Sequence, residues 1–307
     1  MKRMTMILLA MGVAAIGAAA ALWTPDRSRA ELERKYLQPP CGYRTVAGTR
    51  LHICDSGPRH APAVILLHGF GASLQTWDGW AASLQADHRV IRFDLPGSGL
   101  SEPDATGDYR DSRSVAIVDA LMHDLGIPRA SIVGNSIGGR IAWTFAAQEP
   151  ARVEKLVLIS PDGFASPGFT YGKAPDVPAI LSLMRYVLPK AVLRMNLAPA
   201  YGDPKALSDA LVTRYHDLIL APGVRSAMLD RMRQTVLQDP VPLLRKIQAP
   251  TLLLWGEKDA MIPITNADDY LRALPHGEIV KLPGLGHVPQ EEAPDASLAP
   301  VRAFLAR

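Results

Sequence analysis

Six short runs rich in Val, Ile and Leu recur along this chain, each ending in glycine, proline, aspartate or histidine. They are AVILLHGFG from Ala63, HRVIRFDLPGSGLS from His88, RASIVGNSIGG from Arg129, VEKLVLISPDG from Val153, APTLLLWGEKD from Ala249 and GEIVKLPGLGH from Gly277. Each is apolar on both faces and too short for a typical helix. Helical patterns lie between them, as at Ser112–Leu125 and Gly138–Gln148. Strands apolar on both faces that alternate with helices predict a mostly parallel sheet flanked by helices, an α/β fold. In such sheets ligands bind beyond the carboxyl ends of the strands. The polar residues that punctuate these runs all fall at such ends. With 307 residues, 48% of them hydrophobic, the chain can bury one large α/β core or two smaller ones.

The rhythm breaks between residues 164 and 236. Segments such as VPAILSLMRYVLPKAVLRM and PKALSDALVTRYHDLIL read as helices interrupted by prolines. An all-helical insertion there would sit over the strand ends as a lid. The predicted layout is an N-terminal membrane or signal segment (1–24), a polar linker with a short amphipathic helix (25–40), a core made of 41–163 and 237–307, and the lid (164–236).

The N-terminus carries Lys2 and Arg3, then no charge until Asp26. The apolar run Met6–Trp23, at about 1.5 Å rise per residue, nearly matches a hydrocarbon core of about 30 Å. It reads as an uncleaved signal anchor with Trp23 at the interface. The small residues Ala18–Ala21 also offer cleavage sites, so a secreted product after signal cleavage is the alternative. Lys2 and Arg3 favour a cytoplasmic N-terminus with the main domain periplasmic or otherwise extracytoplasmic. Arg27, Arg29, Arg34 and Lys35 count the other way. Basic residues elsewhere are scattered and the formal net charge is only +3, which argues against nucleic-acid binding. The sequence carries no signal for oligomeric state.

The only cysteines, Cys41 and Cys54, flank a candidate hairpin, CGYRTVAGTRLHIC. A two-residue Ala47-Gly48 loop would set them opposite each other, able to pair in an oxidising compartment. A three-residue loop would turn them to opposite faces. Alanine at a position that wants positive φ counts against the shorter loop, so both registers stay open.

Gly134-Asn135-Ser136-Ile137-Gly138 matches G-x-S-x-G between a strand and a helix. A strand-to-helix turn that sharp strains the serine and leaves no room for side chains two residues away, hence the glycines. The serine oxygen then projects above the sheet, and the Ile137 N–H points where a carbonyl oxygen would become negative. Gly139 is followed by Arg140-Ile141, so no Walker A loop forms, and Ser136 breaks a G-x-G-x-x-G fingerprint. A nucleophilic serine needs a base, and the base an orienting carboxylate. His287 follows the last apolar run and Asp259 the one before it, giving the order Ser136, Asp259, His287. Asp162 is the alternative acid. In HGFG, the Phe70 N–H is the candidate second oxyanion donor, while His68 reads as part of the turn.

Taken together, HGFG, DLPGSGLS, GNSIGG, WGEKD and GHVPQEEAP resemble the α/β-hydrolase family from about Tyr43 to the C-terminus. The resemblance implies the α/β-hydrolase fold with a helical lid, a Ser136-His287-Asp259 triad, and no metal or organic cofactor. It also implies a structural, non-catalytic role for Asp94, Gly97 and Gly99. The arrangement is similar to membrane-bound monoacylglycerol lipases and carboxylesterases, whose substrates are lipophilic esters. Gly-Asn-Ser-x-Gly-Gly is similar as well to carbon–carbon bond hydrolases of aromatic ring-cleavage products. Dehalogenases and epoxide hydrolases of this fold use an aspartate nucleophile where this chain has Ser136. A non-catalytic, membrane-anchored binding protein is the alternative from another class.

Overall fold

The computed structural model describes residues 22–165 and 170–307. Eight strands form one sheet: β1 (Cys41–Val46), β2 (Thr49–Ser56), β3 (Ala63–Leu67), β4 (Arg89–Phe93), β5 (Ala130–Asn135), β6 (Val153–Ile159), β7 (Thr251–Gly256) and β8 (Gly277–Leu282). Their order across the sheet is β1-β2-β4-β3-β5-β6-β7-β8. β2 pairs antiparallel with β1 and β4, and every other pairing is parallel. All six apolar runs became strands. The β3 side chains alternate: Ile65 and Leu67 enter a core with the helices Asp111–Asp124 and Ile137–Gln148. Val64 and Leu66 enter a second core on the other face, with Trp77 and Trp80 and with Leu298, Val301 and Phe304 of the C-terminal helix. This two-residue alternation, with both faces covered, explains why β3 carries no polar residue.

The hairpin adopts the two-residue loop. Ala47 and Gly48 take φ of 47° and 83°, both positive as a type I′ turn requires, and Cys41 stands opposite Cys54. The two cysteines are bonded to each other. The left-handed conformation costs alanine about 1–2 kcal/mol. The inward packing of Val46 and Leu51 holds the register despite that cost.

Between β6 and β7 every regular element among the described residues is helical. The main ones are a 3₁₀ segment at Ala179–Arg185 and the helices Lys190–Leu197, Asp209–Ile219 and Val224–Gln234. They form the cap over the carboxyl ends of the strands.

The N-terminal linker is more than a spacer. Ser28 caps the helix Arg29–Tyr36, and Leu32, 1% exposed, packs with Leu188, Tyr215 and Leu218 of the cap. Asp217 on the cap, its side chain 3% exposed, accepts hydrogen bonds from Lys35 Nζ at 2.6 Å and Tyr36 Oη at 2.8 Å. Arg27 Nε lies 2.8 Å from its other oxygen as an ion pair, off the line of a hydrogen bond. Burial alone would raise the Asp217 carboxyl. The bonds from Lys35 and Tyr36, together with the charges of Arg27 and Lys35, outweigh burial and hold it below the usual carboxylate range. The apolar run Met6–Trp23 lies, apart from Leu22 and Trp23, outside the described residues. Among the described residues no helix is long and apolar enough to cross a membrane.

Candidate active site

Ser136 sits between β5 and the helix Ile137–Gln148 with φ 56° and ψ −121°, a region side-chain-bearing residues rarely occupy. The flanking glycines explain how the chain tolerates it. A Cβ on Gly134 would lie 2.2 Å from the Gly138 carbonyl oxygen, and one on Gly138 would lie 2.3 Å from that of Leu67. The turn is braced on its outer side: Ser136 N–H donates to the Ile159 carbonyl at 3.1 Å, and its own carbonyl accepts from Asp162 N–H at 3.0 Å.

His287 and Asp259 come together although they leave different strands. His287 Nδ1 and Asp259 Oδ2 are 2.8 Å apart, with side chains 5% and 0% exposed. The other Asp259 oxygen accepts from the N–H groups of Met261 and Ile262 at 2.8 and 2.9 Å, which fixes the carboxylate. An ionised carboxylate only accepts, so Nδ1 carries the proton and Nε2 is left as the basic nitrogen. Asp162, the alternative acid, pairs instead with Arg140, which also meets Asp111 at 3.0 Å. Asn135, next to the serine, was not singled out from sequence. Its Nδ2 donates to the carbonyls of Ile159 (3.1 Å) and His287 (2.9 Å), tying the elbow to the histidine loop.

Ser136 and His287 line one cavity of about 340 Å³. Phe70 stands at its wall, and across Phe70 and Met232 lies a second cavity of about 310 Å³, lined also by Ile137. Ile137 opens its helix, so its N–H has no partner four residues earlier. Most of the rest of the first cavity is cap, including Leu188, Leu197, Met228 and Tyr215, and no Lys, Arg, Asp or Glu side chain lines it among the described residues. Two arginines lie close by. Arg214 is paired with Glu291, and Arg231 donates to the carbonyls of Pro96 (3.1 Å) and Tyr109 (3.5 Å).

His68 and Asp94 hold the neighbouring loops and stand apart from the cavity. His68 Nδ1–H donates to Gly69 O at 2.8 Å and Nε2 accepts from Leu95 N–H at 2.9 Å, a neutral tautomer locked on both sides. Burial lowers its pKa below 6.5. Asp94 accepts from Leu74 N–H, Leu100 N–H and His52. A Cβ on Gly99 would fall 2.2 Å from its carboxylate.

A family model described as the alpha/beta hydrolase fold matches residues 62–294. The chain belongs to the α/β-hydrolase fold family. Two curated relatives of this hydrolase are each 29% identical over 255 residues, covering 80% of this chain and 88% of theirs. One is the 2-hydroxy-6-oxononadienedioate/2-hydroxy-6-oxononatrienedioate hydrolase of Comamonas testosteroni, the other the 2-hydroxy-6-oxo-6-phenylhexa-2,4-dienoate hydrolase of Burkholderia cepacia. Among solved structures, a membrane phospholipase A described as a bacterial virulence factor is 26% identical with a TM-score of 0.74. It covers all of this chain and 98% of its own.

Proposed function

We propose that this α/β-hydrolase cleaves neutral, lipophilic carboxylic esters, acylglycerols or similar lipids, through an acyl-enzyme on Ser136. His287 Nε2 takes the serine proton as Oγ attacks the ester carbonyl. Asp259 fixes the imidazole tautomer and stabilises its positive charge. The Phe70 and Ile137 N–H groups receive the oxyanion, the latter helped by the positive end of its helix. The tetrahedral intermediate collapses, His287 returns the proton to the departing alcohol, and water activated by the same imidazole releases the acid.

The observation that carries the ester reading is the uncharged wall of the cavity. The two curated relatives are named for dienoates and dienedioates, which bear one or two carboxylates. Burying a carboxylate in an apolar cavity without a cation costs several kcal/mol. Arg214 is paired with Glu291, and Arg231, which lines the second cavity together with Asp162 and Asp176, is held by backbone carbonyls and does not line the cavity of Ser136 and His287. A neutral ester with an acyl chain meets no such penalty. The likeness to the membrane phospholipase over the whole chain supports the same substrate class.

The second reading, hydrolysis of a carbon–carbon bond in an aromatic ring-cleavage product, is favoured by the names of both curated relatives. A panel of ester chain lengths set beside 2-hydroxy-6-oxo-6-phenylhexa-2,4-dienoate decides between them. Turnover of medium- or long-chain esters with little on the dienoate is expected, and turnover of the dienoate alone would overturn the ester reading. A fluorophosphonate probe should label the wild type and not Ser136→Ala. Equal labelling of the two would remove Ser136 from the mechanism.

In the same proposal the main domain is extracytoplasmic and held at a membrane by the N-terminal run. The Cys41–Cys54 bond supports an oxidising compartment. The full chain is expected in the membrane fraction, and a chain lacking residues 1–21 in the soluble fraction. Equal partitioning of both would discard the anchor.

A further inference from the structure

The two carboxylates that follow His287, Glu291 and Glu292, take no part in the chemistry above, yet both reach from the histidine loop to the cap. Glu292 Oε2 accepts from Gly286 N–H at 2.8 Å, immediately before His287, and from Gly202 N–H on the cap at 3.1 Å. Its Oε1 accepts from Asp203 N–H at 2.8 Å. The surrounding backbone is laid directly on the same piece of cap. His287 N–H and Val288 N–H donate to the Ala200 carbonyl at 2.8 and 3.3 Å. A Cβ on Gly202 would lie 2.2 Å from Gly284 O, and one on Gly286 would lie 2.5 Å from Ala200 O. Glu291 works on side chains instead. Its Oε2 accepts from the hydroxyls of Tyr201 and Tyr215 at 2.7 and 2.8 Å, and both rings line the cavity.

We propose that Glu292 is a positioning residue that sets the His287 imidazole from the cap. One carboxylate gathers N–H groups from both sides of the junction, so the height of the His287 loop over Ser136 follows the cap segment Ala200–Asp203. Hydrogen bonds to an ionised acceptor are about twice as strong as neutral ones, which suits them to this task. Glu291 acts on the same junction with a different target, because it holds the two tyrosines of the cavity wall. The two neighbouring residues therefore separate. Glu292 governs how well the base is aimed, and Glu291 governs how the cavity fits its substrate. The inference rests on the Ser136–His287 reading of the site.

The test uses the full chain, with p-nitrophenyl butyrate for steady-state kinetics and a fluorophosphonate for the rate of serine modification. In Glu292→Gln one acceptor is replaced by an NH₂ facing N–H donors. A displacement of about 1 Å at a catalytic group costs about a hundredfold. The expected result is therefore a kcat and a labelling rate about ten- to a hundredfold lower, with KM within twofold. Glu292→Asp, which keeps the charge, should recover a large part of the loss. Glu291→Gln should move KM and chain-length preference more than kcat. If Glu292→Gln does not fold, Glu292→Asp carries the test, with kcat expected at least threefold below wild type at unchanged KM. Wild-type kcat in the Glu292 variants overturns the proposal. So does a Glu292→Gln loss shared equally by kcat and KM and left uncorrected by aspartate, which is what a merely structural residue would give. Failure of the site reading is distinct, because the wild type itself would then resist labelling.

Discussion

Asp259 shows how a single side chain divides its work between folding and chemistry. One oxygen is held by two backbone N–H groups, leaving the other to face His287. Asp259→Asn should keep the packing and lose the tautomer, lowering kcat by about 10³–10⁴ with little change in melting temperature. Kinetics beside a thermal melt would check both halves of that statement. His68 gives a prediction about pH. It is buried neutral with its pKa lowered below 6.5, so the unfolded chain binds the proton more readily than the folded one. Its contribution is complete above pH 6.5 and is lost progressively as the pH falls from there toward the lowered folded value. Melting temperature should drop across that interval, and His68→Gln should flatten the slope; an unchanged slope would remove His68 as its cause. Chain order and strand-end placement made Ser136, Asp259 and His287 candidates in the sequence, and the structure sets His287 Nδ1 2.8 Å from Asp259 Oδ2 with Ser136 and His287 on one cavity. Asn135, Glu291 and Glu292 were not candidates, because most of their partners, backbone groups for Asn135 and Glu292 and side chains for Glu291, lie far away in the chain. Nothing in local residue pattern encodes such partners.

At the level of elements, the elbow and the hairpin respond oppositely to small changes. Gly138→Ala would drive a methyl group into the Leu67 carbonyl, with backbone on both sides of the clash and nothing flexible to move. A loss of roughly 3 kcal/mol or more is expected, measurable by urea unfolding, with activity falling alongside. At the hairpin, Ala47 is the residue out of place. Ala47→Asn should raise stability by about 1 kcal/mol, since asparagine tolerates the left-handed region that alanine resists. A midpoint no higher than wild type would mean that the turn is not strained there. The strands were legible because burial on both faces writes an unbroken apolar run. The hairpin register was not, because alanine's own preference argued for the longer loop. The packing of Val46 and Leu51 decided it.

For the molecule as a whole, the sequence reads residues 25–40 as a linker, since a short polar helix with one leucine has little to mark it as docked. Its bonds to Asp217 reach a cap nearly two hundred residues away, beside shorter-range ones to Leu100 and Tyr43. Removing residues 1–21 should leave the melting temperature nearly unchanged. Removing residues 1–37 strips Asp217 of all its partners and uncovers the pocket of Leu32. Breaking a buried ionic group in this way costs about 3–5 kcal/mol. Comparing the two truncations by thermal melting checks this, and equal stability would show the segment to be dispensable.

The cap is thus fastened from the front by Arg27–Tyr36 and from behind by Gly284–Glu292. That has a practical side for anyone recombining this hydrolase with a relative. The stretch between β6 and β7 looks like a cassette that could be exchanged to transfer substrate preference. Moved alone, it would arrive without the groups that seat Asp217 and without the carboxylates that meet Tyr201, Gly202 and Tyr215. A working graft has to carry three separate pieces of chain together.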